Sequence, residues 1–152
     1  MNVIEIPVIG SRRSEMEKLF TLLSDQPLRK FEGLDVGMLN LDDDLEMYLY
    51  FLNQDSDDYI YLWDLIIPRA LGCVVICDLA NTEIFEKNVE IIELLKQRYA
   101  TDLYICSLPV KGEEPAVLQS KSIAPDDIKE FLYFNPSEKQ TAKDILLKIL
   151  GA

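Results

Sequence analysis

Two places in this chain carry residues whose types and spacing could do chemistry. The first is Gly10-Ser11-Arg12-Arg13-Ser14-Glu15-Met16-Glu17, where adjacent arginines stand just after an apolar run. If that run is a strand and a helix follows, its first N–H groups and the two guanidiniums could hold an anion. The competing reading is a pair of solvated arginines, favoured by Glu15 and Glu17 beside them. The second place is Asp55, Asp57 and Asp58, alternate acids that could converge on Ca²⁺. The central glycine and closing glutamate of a calcium loop are missing there, which favours a solvated acidic loop. Asp78 ends an apolar run and could accept a phosphoryl group. That chemistry also needs acids after the first strand, where this chain has Ile9-Gly10. The chain contains no histidine, which removes the commonest general base and the usual catalytic dyads. Cys73, Cys77 and Cys106 lie in apolar runs without the clustering zinc needs, so they read as buried core.

Charge is distributed unevenly. The 38 residues from Phe31 to Pro68 hold ten acids and no lysine or arginine, so they carry −10 of the net −12. The acids are Glu32, Asp35, Asp42, Asp43, Asp44, Glu46, Asp55, Asp57, Asp58 and Asp64. Such a field repels nucleic acid and anionic lipid and attracts a basic surface or a cation. Tyr48, Tyr50, Tyr59, Tyr61 and Trp63 are interleaved with these acids. Either they pack the core, or they anchor an interface ringed by carboxylates.

The elements that must position these residues follow from hydrophobic period and turn chemistry. Val3 to Ile9 reads as a strand ending at Gly10, with Pro7 awkward because it lacks an N–H. A helix follows, with Ser14 as cap and Met16, Leu19, Phe20 and Leu23 on one face. Leu34 to Leu41 and Leu45 to Leu52 read as strands joined by a tight Asp42-Asp43-Asp44 turn. Tyr59 to Ile67 reads as a short helix ending before Pro68. The run Gly72 to Leu79 is a strand covered on both faces, and Glu83 to Tyr99 a long helix buried along Ile84, Asn88, Ile91 and Leu95. Leu103 to Ser107 is another buried strand, and Leu108 to Lys121 a loop. Pro125 opens a short helix to about Glu130, and Leu132 to Phe134 forms a last strand. Asn135-Pro136-Ser137-Glu138 predicts a capping box, and the closing helix buries Ala142, Ile145, Leu146 and Ile149 before Gly151 stops it.

Strands alternating with helices predict an α/β single domain over residues 1–152, with a six-stranded, mostly parallel sheet between two helical layers. One adjacent pair supplies an antiparallel edge strand. No run reaches the length of a membrane span and the N-terminus lacks a signal peptide's pattern, so a cytoplasmic protein is expected.

Element order and local strings together make the chain resemble the Ras-like small GTPases of bacteria and archaea, in particular the ATP/GTP-binding proteins related to Mgl-type gliding regulators. The strings are Asp35-Val36-Gly37-Met38-Leu39-Asn40-Leu41, then Tyr59-Ile60-Tyr61-Leu62-Trp63-Asp64, then Ala70-Leu71-Gly72-Cys73-Val74-Val75-Ile76-Cys77-Asp78. The resemblance implies a three-layer, P-loop-NTPase-like G domain. It also implies that the region from Asp42 to Trp63 is an effector and regulator face.

The strings that would read a nucleotide depart from that family. A phosphate loop has the form G-x-x-x-x-G-K-[ST], its lysine reaching the phosphates and its hydroxyl binding Mg²⁺. Aligned from Gly10, the second glycine is Glu15, the lysine is Met16 and the hydroxyl is Glu17. One extra carboxylate within ~4 Å of a phosphate, at an effective dielectric near 20, disfavours binding by about 4 kcal/mol. The switch glutamine is out of register in Leu52-Asn53-Gln54-Asp55-Ser56-Asp57-Asp58. The guanine-reading N-K-x-D is replaced by Ser107-Leu108-Pro109-Val110-Lys111-Gly112-Glu113-Glu114.

The resemblance and these departures together imply a pseudo-GTPase: non-catalytic, without nucleotide cofactor or metal, acting by protein contact. The expected contact residues are Asp42, Asp43, Asp44, Asp55, Asp57, Asp58, Tyr59, Tyr61 and Trp63. The expected partner has a basic rim, and by resemblance is a roadblock- or longin-type regulator; self-association into a homodimer is the other use of the face. The alternative is a nucleotide-binding small GTPase with an atypical phosphate loop, holding its ligand through Arg12, Arg13 and Lys111.

Overall fold

The computed structural model describes residues 2–31, 34–54, 60–111 and 123–151. A seven-stranded sheet forms its centre, with β1 (Asn2–Gly10), β2 (Arg29–Phe31), β3 (Leu34–Asp42), β4 (Leu45–Asn53), β5 (Cys73–Cys77), β6 (Leu103–Ser107) and β7 (Ile128–Tyr133). Their spatial order is β2-β3-β4-β1-β5-β6-β7. The antiparallel part lies at one edge, where β3 runs against both its neighbours; the β4-β1, β1-β5, β5-β6 and β6-β7 pairs are parallel.

Among the described residues four helices cover the sheet: α1 (Arg13–Leu23), α2 (Ile60–Ile66), α3 (Thr82–Arg98) and α4 (Lys139–Ile149). Met16, Leu19 and Phe20 of α1 share one core with Ala142, Ile145 and Ile149 of α4. Trp63 of α2 and Ile91, Ile92 and Leu95 of α3 fill a second core on the other face. Two cores on opposite faces make a three-layer α/β domain. β5 and β6 are buried at every residue, as their unbroken apolar runs require. Cys73, Cys77 and Cys106 are free thiols inside these strands, and burial raises the pKa of all three, to about 12 for Cys73 and Cys106.

Pro7 fits because of where its nitrogen points. Gln54 donates its backbone N–H to the Gly10 carbonyl, so alternation turns the Pro7 nitrogen towards β5, and pairing with β5 begins only at Val8. Gly37 is required by close approach: a Cβ there would lie 2.5 Å from the Phe20 ring, which packs edge-on against Phe51.

Several expectations are corrected. The sheet has seven strands rather than six; the additional strand, β2, is exposed at each residue and partly charged, so it shows no apolar pattern. Ser14 lies inside α1, whose cap position is Arg12 and makes no side-chain cap bond. Pro68 belongs to a 3-10 turn, Ile67–Arg69, that continues α2. Pro125 opens no helix: its carbonyl accepts from Ile128 in a turn that places Asp127 at φ +66°, and β7 starts at once. The capping box also fails. Asn135 turns its side chain onto the Ser137 N–H, and α4 begins only at Lys139. The Asp43-Asp44 turn and the Gly151 stop, at φ +78°, stand as expected.

Candidate functional site

In an open α/β sheet a ligand crevice forms beyond the carboxyl ends of the strands, where chain connections diverge. Here the chain leaves β1 towards β2 at one edge and leaves β5 towards β6 on the other side, so the place such a crevice would take lies at the ends of β1 and β5, between Gly10 and Asp78. The junction read from the sequence therefore sits at that crevice. Met16 is 3% exposed and packs beneath Gly10, so it is part of the core.

The arginines of the junction are held by this chain's own carboxylates. Arg12 bridges Glu15 and Asp78, each at 3.2 Å, and the second bridge spans the crevice. Arg13 grips Asp35 with two nitrogens, at 2.7 and 2.8 Å, and lies 3.4 Å from Glu17. Lys30 of β2 completes the cluster on Glu17 at 3.2 Å. Asp35 and Asp78 are 7% and 6% exposed. Buried carboxylates of this kind need their cation, so neither guanidinium can turn to an external anion without leaving one unpaired. Partial burial raises the Glu15 pKa and Asp78 adds to the rise, while Arg12 opposes both.

A polar network lies beneath the crevice. Asn88 of α3 is fully buried, accepts the Asp78 N–H through Oδ1, and donates through Nδ2 to Gln54 Oε1 and the Ile76 carbonyl. Gln54 is 1% exposed, so it serves as a buried strut rather than a side chain that aims water. Among the described residues its Nε2 and the Trp63 Nε1 have no hydrogen-bond partner.

The acidic and aromatic segment divides into parts with different surroundings. Asp42, Asp43 and Asp44 are exposed at the β3-β4 turn, where Asp42 accepts the Asp44 N–H at 2.7 Å. Tyr48 and Tyr50 stack at 6.4 Å, with their hydroxyls donating to Glu46 and Glu5. On α2, Tyr61 and Leu65 are 57% and 61% exposed and lie on one helical face. Trp63 is 3% exposed and belongs to the core, which removes it from any contact surface. Asp64 accepts a fork from Arg98 and the Tyr99 hydroxyl, which together hold its pKa down at about 2. Asp55, Asp57, Asp58 and Tyr59 lie outside the described residues, as do Gly112, Glu113 and Glu114.

Sequence reading missed three things here. Leu65 follows from the i, i+4 spacing with Tyr61. Asn88 was placed on the buried stripe of α3, but its bonds to Gln54, the Asp78 N–H and the Ile76 carbonyl were not read. The cations on Asp35 and Asp64 come from residues 22 and 34 positions away, beyond any local signal. No protein-family model matches this chain, and no curated protein shows significant similarity to it.

Proposed function

We propose that this domain is a non-catalytic pseudo-GTPase of Ras-like architecture that acts by protein contact. The observation that carries this reading is the pairing of Arg12 and Arg13 with Glu15, Asp78, Asp35 and Glu17, which engages both guanidiniums with the chain's own carboxylates. The order β3-β4-β1-β5-β6-β7 between two helical layers supports the architectural part. With no nucleotide to switch it, such a domain would be regulated by partner availability.

The contact surface in this reading comprises Asp42, Asp43 and Asp44 with Tyr61 and Leu65, which are exposed. A partner with arginine or lysine at its rim, of roadblock or longin type, fits that surface by charge; self-association would have to bring like charges together. The test is affinity capture from the native host with the natural chain and with an Asp42→Lys, Asp43→Lys, Asp44→Lys variant. The reading expects a protein retained by the natural chain, lost with the variant, and released as salt rises to roughly 0.5 M. Equal retention by both chains at high salt would refute the acidic surface.

A further inference from the structure

The far edge of the sheet carries a second docking geometry, independent of the acidic surface. The two edges differ in how they are protected. β2 is three residues long and two of them are cations, which discourages pairing with another chain. β7 is six residues long and ends Phe131-Leu132-Tyr133 without a charge. Phe134 donates its N–H to the Ser107 carbonyl at 3.0 Å, so alternation turns the N–H and C=O groups of Phe131 and Tyr133 away from β6. Among the described residues these groups have no backbone partner.

Beside this edge, between β7 and α4, runs a groove of about 400 Å³. Leu132, Ile145 and Leu147 line it, with Asp144 and Lys148 at its rim, and Leu147 is 46% exposed although apolar. Open strand edge and apolar groove together are what an added strand requires: the backbone supplies hydrogen bonds, and every second side chain enters the groove. Charge selects the occupant. Asp126 and Asp127 lead into β7, Glu130 lies within it and Asp144 faces it, against Lys129 and Lys148. A second copy would bring its own net −12 against this one, whereas a cationic segment is attracted.

We propose that the β7 edge and its groove dock an extended cationic segment of a partner protein, with apolar residues at every second position. The probe is a fluorescein-labelled peptide of about eight residues alternating valine and lysine. The control is the same peptide N-methylated at every second residue, which keeps charge and apolarity but blocks strand pairing. Binding by anisotropy should be at least about tenfold tighter for the unmodified peptide. Amide exchange should slow at Phe131 and Tyr133. Tyr133→Pro removes one outward donor at a position where an edge strand tolerates proline, and should weaken binding about tenfold. Leu147→Lys alters only an exposed side chain and should weaken it comparably. Equal binding of the N-methylated peptide, protection away from β7, or no binding below about 1 mM would overturn the proposal. So would a concentration-dependent dimer that competes with the peptide, which would assign the edge to a second copy.

Discussion

Asp35 and Asp42 stand near opposite ends of the same strand, and the protein uses them in opposite ways. Asp35 is buried beside the crevice and gripped by Arg13 through two nitrogens. Asp42 is exposed at a turn, where it accepts the Asp44 backbone N–H. A carboxylate withdrawn from water must have its cation, whereas one in water needs none. The crevice is therefore electrostatically closed upon itself, and the hairpin tip is the part of β3 whose charge reaches the surroundings. Counting acids along the chain overstates the field, since Asp35 and Asp64 are compensated from distant segments.

Variants can sharpen or break this contrast. The largest effect should come from Asn88→Leu, which strips partners from Gln54, the Asp78 N–H and the Ile76 carbonyl at full burial. Urea unfolding should show a loss of about 3 kcal/mol. Gly37→Ala presses a methyl group into the Phe20 ring beneath the β3 strand and should lose about 2 kcal/mol, read the same way. Arg13→Ala leaves Asp35 without its cation. Because Arg13 is itself about half exposed, the loss should be nearer about 1–2 kcal/mol. Asp43→Asn at the hairpin tip should change stability by less than about 0.5 kcal/mol. If the last two variants were equally costly, the contrast between the two ends of β3 would fail.

Acid unfolding gives the smallest signal. Asp64 is held at about 2 by Arg98 and Tyr99, below its ordinary value of 3.8. A depressed carboxylate contributes fully above its unfolded pKa, and that contribution is lost as pH falls through the folded value. Stability should therefore decline between roughly pH 4 and pH 2, and Asp64→Asn should flatten the decline.

What the sequence disclosed depended on how local the cause was. The continuous apolar runs of β5 and β6 and the alternation in β3 and β4 were legible because burial on two faces or one writes a period of its own. The first and last helical stripes were legible for the same reason. β2 was hidden because Arg29, Lys30 and Phe31 bury nothing and are strand only by pairing with β3. The segment after Pro125 misled because a proline suits a turn as readily as a helix start, and the strand that follows is held by β6. At the site, the departure of Met16 and Glu17 from the phosphate-loop pattern was visible in one dimension. The partners of Arg12 and Arg13 were not, since Asp78 and Asp35 meet them only once the sheet is assembled. Trp63 looked like an interface anchor from its acidic neighbours, yet helical spacing turns it inward while Tyr61 and Leu65 face out.

A thermal-shift titration with GTP, GDP and ATP, with and without Mg²⁺, tests the self-neutralised crevice most directly. The account predicts no nucleotide-dependent shift up to about 0.5 mM, with Arg12 and Arg13 remaining on their carboxylates. A magnesium-dependent rise of more than roughly 3 °C at that concentration, abolished by substituting Arg12 and Arg13, would contradict it.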